Sequence, residues 1–288
     1  MKSLEFVKAH GIGNDFIILD GLHNSFSEFD LSSLAVCLCE RHFGIGADGL
    51  ILVLPSECAD YRMRIINSDG SEAEMCGNGI RCFANYLYTR GLAGNFISVE
   101  TLAGIKDVQV SKSQDQLLFT VNMGAPILEA VDIPVAGYVG KVINQSLNVH
   151  GVVYDITCVS MGNPHCVIFV QDKPVDEIAL SDVGPKIEMH SAFPKKTNVE
   201  FVEILSKHEL KVRVWERGAG ITLACGTGAC ASVVAGVLNG YVERQATVHL
   251  PGGALYIDWR DDGDVYMTGP AKEVFVGKLN LETVCSKG

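Results

Sequence analysis

The chain carries the same pattern of residues twice, 149 positions apart. Cys-Gly-x-Gly occurs at Cys76 and again at Cys225. The same offset relates Gly13 to Gly162, Arg64 to Arg213, Gly91 to Gly240 and Gly104 to Gly253. One offset that holds over roughly ninety residues is typical of an internal repeat. The sequence therefore predicts two copies of one structural unit, each about half of the 288-residue chain.

Each copy contains a strand pattern followed by a helix pattern. "YRMRIIN" and "LKVRVWE" alternate polar with apolar residues, as strands do. Each leads through a glycine-rich turn and Cys-Gly-x-Gly into a helix pattern, "IRCFANYLYTRG" or "ACASVVAGVLNG". Gly91 and Gly240 close these helices in the C′ position. The segment "SVVAGVLNG" is apolar nearly all round, so we expect the second helix to be buried.

These patterns predict an α+β fold of two pseudo-symmetric domains. We expect each domain to be a curled, mostly antiparallel sheet around one central helix, with the active site in the cleft between the domains. Cys76 and Cys225 would stand at the N-termini of the two central helices and face each other. The segment from Pro126 to Pro134 is the expected crossover, so the first domain would end near residue 126.

Composition excludes several classes of function. The net charge of −11 argues against nucleic acid and acidic membrane surfaces as partners, since both attract basic patches. No apolar run approaches the ~18 residues of a membrane span, and the N-terminus does not read as a signal peptide. Ten cysteines without a C-x-x-C motif favour reduced thiols in the cytoplasm. Apart from Cys76 and Cys225, most are expected to be small core residues: Cys37, Cys39, Cys58, Cys82, Cys158, Cys166, Cys230 and Cys285.

Two thiols at two helix N-termini favour acid–base chemistry. A helix N-terminus stabilises an anion and can bring one thiol close to neutral pH, where a general base works best. Nearby N–H groups can also bind a carboxylate. A structural zinc would need about four ligands, and a dithiol redox pair normally occurs as C-x-x-C. The stronger rival is one nucleophilic cysteine with His165 as its base.

The motifs resemble the diaminopimelate epimerase family of cofactor-independent amino-acid racemases. The similarity runs in order through "KAHGIGNDF", "HFGIGADG", "NSDGSEAEMCGNGIRC", "VSMGNPHCV", "TNVEF", "WERGAGITLACGTGACA" and "VHLPGG". It implies a homodimer without a cofactor, acting on diaminopimelate in lysine and peptidoglycan-precursor biosynthesis. It also implies that the C-terminal segment returns to the first domain, which would comprise 1–126 and 271–288, with 127–270 as the second domain.

The resemblance assigns roles to individual residues. Cys76 and Cys225 match the two catalytic bases, and His165 and Glu216 match positions that tune the thiols. The positions that match substrate-binding residues are Asn14, Asn67, Gly77, Asn78, Asn163, Asn198, Glu216, Arg217, Gly226 and Thr227. Gly49 stands where some members carry Gln, so it cannot make that side-chain contact.

Two other classes of function stay open at this level. A proline or hydroxyproline racemase could share the two cysteines, but it would have no use for Glu216 and Arg217. A non-enzymatic amino-acid-binding protein would tolerate loss of either cysteine. The repeat pairs Asn67 with Glu216, and such divergence suits a substrate whose two ends must be distinguished.

Overall fold

The structure, a computed structural model, describes residues 3–280. It divides into two compact units: unit 1 comprises residues 1–121 and 269–288, and unit 2 comprises residues 122–268. The boundary after residue 121 precedes the segment expected to be the crossover, and the domain limits at 126 and 270 stay a prediction. Residues 281–288, with Cys285, lie outside the described residues.

Unit 1 contains two helices and most of the N-terminal strands. In chain order its elements are β1 (Ser3–Gly11), β2 (Asn14–Asp20), α1 (Leu31–Cys39), β3 (Gly49–Leu54), β4 (Tyr61–Asn67), β5 (Glu72–Ala73), α2 (Gly77–Thr89), β6 (Phe96–Thr101), β7 (Gly104–Ser113) and β8 (Gln116–Asn122). A late strand, Lys272–Asn280, also belongs here and pairs antiparallel with β1.

Unit 2 repeats this order of elements after one additional strand at its start. They are β9 (Gln145–Val149), β10 (Val152–Ser160), β11 (Pro164–Val170), α3 (Leu180–Glu188), β12 (Asn198–Ser206), β13 (Glu209–Glu216), β14 (Gly220–Ile221), α4 (Gly226–Leu238), β15 (Gln245–Leu250), β16 (Gly253–Trp259) and β17 (Val265–Pro270); the strand Lys272–Asn280 is β18. A single 3-10 turn, Val175–Glu177, precedes α3.

The register of the strands repeats at the offset found in the sequence. Phe16 pairs with Gly49 between the parallel strands β2 and β3, and His165 pairs with Asn198 between β11 and β12. The antiparallel pairing of β3 with β4 recurs between β12 and β13. The strand pairings therefore recur at the same offset as the residues, so the duplication is present in the fold as well as in the sequence. The predicted α+β fold of two similar halves is confirmed.

The two Cys-Gly-x-Gly helices are the central helices of their units. α2 contacts β1, β2, β3, β4, β7 and β18, while α4 contacts β10, β11, β12, β13, β15 and β16. Both have 13 residues, and most residues of each are buried. Gly91 and Gly240 follow the helices with φ of 66° and 71°, a conformation that glycine adopts without strain. The predicted helices and their glycine caps are confirmed.

A second pair of helices was not predicted from the sequence. α1 packs on β3 and β4, and α3 packs on β12, β13 and β14. Each covers an apolar cluster of its own unit; Leu38, Leu50 and Leu52 are buried in unit 1, and Ile187, Val199 and Phe201 in unit 2. These outer layers leave α2 and α4 enclosed by their sheets.

The assignment of most other cysteines to the core holds, with two corrections. Cys39, Cys82, Cys158, Cys166 and Cys230 are buried free thiols. The remaining described free thiol outside the two motifs is at position 58 and is exposed, so its assignment to the core is wrong. The residue at position 37 is disulfide-bonded, so the expectation of a reduced thiol fails there. Across residues 3–280, no helix is long and apolar enough to cross a membrane.

Candidate functional site

Cys76 is the N-cap residue of α2. Its backbone is extended, with φ −138° and ψ 119°, and its sulfur accepts a hydrogen bond from Gly79 N at 3.4 Å. N-cap positions normally carry an oxygen side chain that accepts from N2 or N3. A sulfur in this place is a weak acceptor as a thiol and a strong one as a thiolate. The cap therefore suits a group that changes its ionisation.

Cys225 caps α4 with the same geometry. Its φ and ψ are −120° and 108°, and Gly228 N donates to its sulfur at 3.3 Å. Helix geometry directs the first N–H groups of α2 and α4 out of each helix end, where an anion can bind. The sequence-based placement of both cysteines at helix N-termini is confirmed.

In unit 1, Asn14 links Cys76 to a group of charged residues. The Cys76 sulfur lies 3.6 Å from Asn14 Oδ1, and Asn78 Nδ2 donates to the same oxygen at 3.2 Å. Asn14 Nδ2 donates to Asp48 Oδ2 at 2.7 Å, and Asp48 Oδ1 pairs with Arg41 at 2.7 Å. Asp48 therefore fixes the amide with its oxygen towards Cys76. The side chain at position 48, beside Gly49, thus positions Asn14.

Asp15 belongs to the same group of charges. It pairs with Lys8 at 2.6 Å and with Arg41 at 2.8 Å. Hydrogen bonds from Arg41 and Lys8 outweigh partial burial and lower the pKa of Asp15 to about 2. The carboxylate therefore stays ionised, and the loop that carries Asp48 is held against β2.

A buried arginine supports the start of α2. Arg81 is 0% exposed and donates to Gly77 O at 2.8 Å, to Asn78 Oδ1 at 2.9 Å and to Pro270 O at 3.2 Å. The equivalent position of α4 is Cys230. The two helix starts therefore differ in charge although their backbones match.

In unit 2, a chain of side chains leads from a buried carboxylate to Cys225. Glu200 Oε1 lies 2.7 Å from His165 Nδ1, and His165 Nε2 lies 3.0 Å from Asn163 Oδ1. Asn163 Nδ2 donates to Thr227 Oγ1 at 3.3 Å, and Thr227 Oγ1 lies 3.5 Å from the Cys225 sulfur. Sequence reasoning singled out every member of this chain except Glu200.

The environment raises the pKa of Cys225 well above its ordinary value of 9.0. Burial is the main cause, and the negative charges of Glu216 and Glu200 add to it. Hydrogen bonds from Thr227 and Gly228 act in the opposite direction but are the smaller effects. Cys225 is therefore not the thiol that its helix N-terminus would bring close to neutral pH.

The remaining candidates of unit 2 lie around the end of β13. Asn198 Oδ1 accepts from Arg217 N at 2.9 Å, and Asn198 Nδ2 donates to Pro164 O at 2.9 Å. The Thr222 hydroxyl donates to Glu216 Oε1. The Arg217 guanidinium is exposed and donates to Lys195 O at 3.2 Å. Asn198 thus positions the backbone at Arg217, while the guanidinium itself is accessible to a ligand.

Asn67 occupies the same place in unit 1 that Glu216 occupies in unit 2. It ends β4, pairs with Gly49 in the sheet, and donates to Ser71 Oγ at 3.0 Å. Gly77 and Gly226 are the buried first residues of α2 and α4. Each unit therefore gathers its own sequence-predicted candidates near one cysteine-capped helix.

Glu200 and Asp48 are the residues that sequence reasoning missed. A comparison of the two copies contains the signal for the first: Glu200 and His165 stand where the first copy has Ile51 and Phe16.

Within residues 3–280, no group of three or more His, Cys, Asp or Glu side chains is arranged to hold a metal ion.

A substitution at Gly228 tests how closely the Glu200 carboxylate approaches the start of α4. A Cβ atom at Gly228 would lie 2.7 Å from Glu200 Oε1 and 3.2 Å from the Cys225 sulfur. We expect Gly228→Ala to displace one of them and to lower kcat/KM roughly 5- to 150-fold, the equivalent of the about 1–3 kcal/mol that such overpacking costs. Steady-state kinetics of the purified variant measure this.

Gly79→Ala is the matched control. A Cβ there would lie 3.2 Å from the Cδ1 atom of Ile65 and 3.4 Å from both the Cδ1 atom of Ile51 and the Cβ of Cys76, without a contact under 3.0 Å, and the N–H to Cys76 would remain. Its stability and kinetics should change by less than about 1 kcal/mol. Equal losses in both variants would show that the contact with Glu200 has no special importance.

Two solved structures share this fold. A phenazine biosynthesis protein of the PhzF family from Bacillus anthracis aligns with a TM-score of 0.70 at 19% identity, covering 97% of this chain and 100% of that one. A hydroxyproline epimerase from Agrobacterium vitis aligns with a TM-score of 0.68 at 14% identity, covering 99% and 94%. These likenesses show the fold that the chain shares with both structures.

Sequence comparison resolves the family. The family model described as diaminopimelate epimerase matches residues 6–129 and 157–274, one stretch in each half of the chain. A diaminopimelate epimerase from Pelotomaculum thermopropionicum is 55% identical over 282 residues, covering 97% of this chain and 100% of the relative. One from Desulfitobacterium hafniense is 56% identical over 279 residues, covering 96% and 98%. The chain belongs to the diaminopimelate epimerase family and is an epimerase.

Proposed function

We propose that this enzyme interconverts LL- and meso-diaminopimelate, and that Cys76 and Cys225 exchange protons with one α-carbon. The carrying observation is that two equivalent helices are each capped by a cysteine sulfur bound by an N–H group. Inversion at carbon requires a proton to leave one face and another to reach the opposite face. In one direction one thiolate abstracts the proton while the other thiol donates; the roles exchange in reverse.

Differences between the two units support a substrate that has a second, non-reacting end. Unit 2 ends β13 with Glu216 followed by Arg217, where the first copy has Asn67 followed by Ser68. An exposed guanidinium can bind a carboxylate through two hydrogen bonds, and a carboxylate can bind an ammonium group. Diaminopimelate carries both groups at the end that does not react. A proline-type substrate offers no such second end.

The reacting end would bind at the helix starts. We expect the substrate carboxylate to lie near Gly77 and Asn78 of α2 and Gly226 and Thr227 of α4, since N–H groups at helix N-termini bind anions. Such donors also stabilise the negative charge that develops when the α-proton leaves. This is the contribution that replaces a cofactor in the proposed mechanism.

The geometry does not favour the rival with His165 as the base of a nucleophilic cysteine. His165 is 0% exposed, and both of its ring nitrogens lie within hydrogen-bond distance of oxygen atoms, of Glu200 and of Asn163. A general base must itself reach the proton that it removes. We therefore assign His165 a supporting role, through Asn163 and Thr227, in the surroundings of Cys225.

The family resemblance extends the proposal to the cellular context. We place the enzyme in lysine and peptidoglycan-precursor biosynthesis, in the cytoplasm, as a homodimer. Val274, Phe275 and Val276 of β18 are exposed apolar residues, which would suit an interface between copies. Light scattering during size-exclusion chromatography tests the dimer; a monomeric mass at working concentration would contradict it.

Substrate identity is tested by offering the enzyme LL-diaminopimelate, L-proline and L-glutamate in parallel. Chiral chromatography should show the meso form accumulating from the first compound only. Epimerisation of proline at a comparable rate would favour the racemase alternative. Tight binding of an amino acid without turnover would favour a binding protein.

Activity should survive removal of metals. No step of the proposed reaction uses a metal or a carbonyl cofactor, so dialysis against a chelator should leave kcat within about twofold of its starting value. Loss of activity that one added metal restores would contradict this part of the proposal.

The raised pKa of Cys225 determines the alkaline side of the pH profile. Turnover needs one ionised and one protonated thiol, so kcat/KM falls when the second thiol loses its proton. Because burial raises the pKa of Cys225 well above its ordinary value, the alkaline limb should lie at a higher pH than the titration of an ordinary thiol. Glu216→Gln removes a negative charge that raises this pKa, so the limb should move to lower pH. An alkaline limb near pH 7 in the unmodified enzyme would contradict the assignment.

A further inference from the structure

The pair formed by His165 and Glu200 has no counterpart in unit 1. Both side chains are 0% exposed, and Glu200 Oε2 is buried with no hydrogen-bond partner. The equivalent residues, Phe16 and Ile51, are buried and apolar. A buried ionisable pair is seldom more stabilising than an apolar pair of similar volume. The fold itself therefore does not require this pair, since unit 1 forms the same register without it.

The hydrogen bonds that link Glu200 to Cys225 through the side chains between them have a fixed donor and acceptor at each step. The amide oxygen of Asn163 can only accept, so His165 Nε2 must carry a hydrogen. The amide nitrogen of Asn163 then donates to the oxygen of Thr227. That oxygen has its own hydrogen left to donate, and the Cys225 sulfur lies 3.5 Å away.

The equivalent amide in unit 1 has the opposite orientation. Asp48 accepts from Asn14 Nδ2, so the oxygen of Asn14 faces the Cys76 sulfur. One sulfur therefore faces an acceptor, whereas the other faces a hydroxyl donor. The residue that fixes each amide differs accordingly: a carboxylate holds Asn14, and an imidazole N–H holds Asn163.

We propose that Glu200 and His165 are positioning residues that fix the Asn163 amide, so that the Thr227 hydroxyl donates to the Cys225 sulfur. The inference rests on the proposed catalytic role of Cys225. An ionised Glu200 and the amide oxygen of Asn163 can only accept, so His165 donates from both ring nitrogens, Nδ1 to Glu200 and Nε2 to Asn163. The donated hydrogen bond stabilises the thiolate of Cys225, which burial and two carboxylates otherwise disfavour.

Unit 1 supplies the variant that tests this. The double substitution His165→Phe with Glu200→Ile, the Phe/Ile variant, places in unit 2 the apolar pair that unit 1 already packs. Thr227→Val removes the hydroxyl that lies next to the Cys225 sulfur. The ionisation of Cys225 is read in the resting enzyme by 13C NMR of Cβ-labelled cysteine, with Cys225→Ala identifying its signal.

We expect Thr227→Val to raise the apparent pKa of Cys225 by about one unit, the effect of losing one hydrogen bond to a charged group. The Phe/Ile variant loses the same hydrogen bond but also loses the Glu200 charge, which raises this pKa, so its net rise should be smaller. In the Thr227→Val background the Phe/Ile substitutions should cause no further rise, because they raise the pKa only through the hydroxyl.

Two controls keep the test independent of folding and of turnover. The Cys76 signal should titrate unchanged in every variant, and circular dichroism reports the fold. In the unmodified enzyme, 15N NMR should show a hydrogen on Nε2 of His165. An unprotonated Nε2, or a Phe/Ile shift that persists undiminished beside Thr227→Val, would overturn the inference even if the enzyme epimerises diaminopimelate.

Discussion

Replacement of either Cys76 or Cys225 by alanine is expected to lower kcat roughly 10³-fold or more, in both directions of the reaction. Each thiol is proposed to carry one of two protons, and a positioned acid or base contributes about 10²–10⁴-fold. Serine should be nearly as poor at either position, because a hydroxyl is a much weaker acid than a thiol. Initial rates from LL- and from meso-diaminopimelate measure the effect.

Buried cysteines of the same helices provide the controls. Cys82 of α2 and Cys230 of α4 are fully buried free thiols away from the caps. Cys82→Ala and Cys230→Ala should cost stability, by about 1 kcal/mol, and leave kcat within a few-fold. A folded Cys76 or Cys225 variant with turnover like these controls would contradict the two-thiol mechanism.

Arg217→Ala is expected to cost about 2–5 kcal/mol of transition-state stabilisation. This corresponds to a fall in kcat/KM of roughly 30-fold to several thousand-fold. The exposed guanidinium is the cation that would bind the carboxylate of the distal end. Because lysine cannot form the same pair of parallel bonds, Arg217→Lys should recover only part of the loss. Kinetics with LL-diaminopimelate measure both variants.

Arg213, on the strand that precedes Arg217, is the matched control. Its guanidinium donates to Asp176 O at 3.1 Å and Ile178 O at 2.9 Å, so it ties β13 to the segment before α3. Arg213→Ala should lower the melting temperature with little change in kcat/KM. If Arg217→Ala behaves in the same way, its arginine is structural and the distal carboxylate binds elsewhere.

The parts of the fold that were predictable depend on local signals. Each of these signals lies within a stretch of about a dozen residues: the strand alternation in β4 and β13, the cysteine caps of α2 and α4, and the closing glycines. Because the two copies are 149 residues apart, a signal found in one copy predicts the same element in the other. This is why the central helices and the duplicated α+β architecture follow from the sequence.

The parts that were missed depend on contacts across the sheet. Asn14 meets Asp48 because β2 and β3 run parallel, and His165 meets Glu200 because β11 and β12 do the same. Parallel partners are separated by a long crossover, so no local pattern links them. At Cys225 burial, which no local pattern predicts, outweighs the stabilisation of an anion by the helix N-terminus.

The central claim is that two different groups transfer the proton at one α-carbon. It is tested most directly by starting the reaction from unlabelled LL-diaminopimelate in deuterium oxide. The reaction is stopped when only a small fraction of the substrate has been converted. NMR and mass spectrometry then compare the α-hydrogen of the product with that of the remaining substrate. The account predicts meso product that carries deuterium at the inverted carbon, beside LL substrate that has kept its protium. Product that retains the original proton, or substrate that exchanges as fast as product forms, would show that a single base serves both faces.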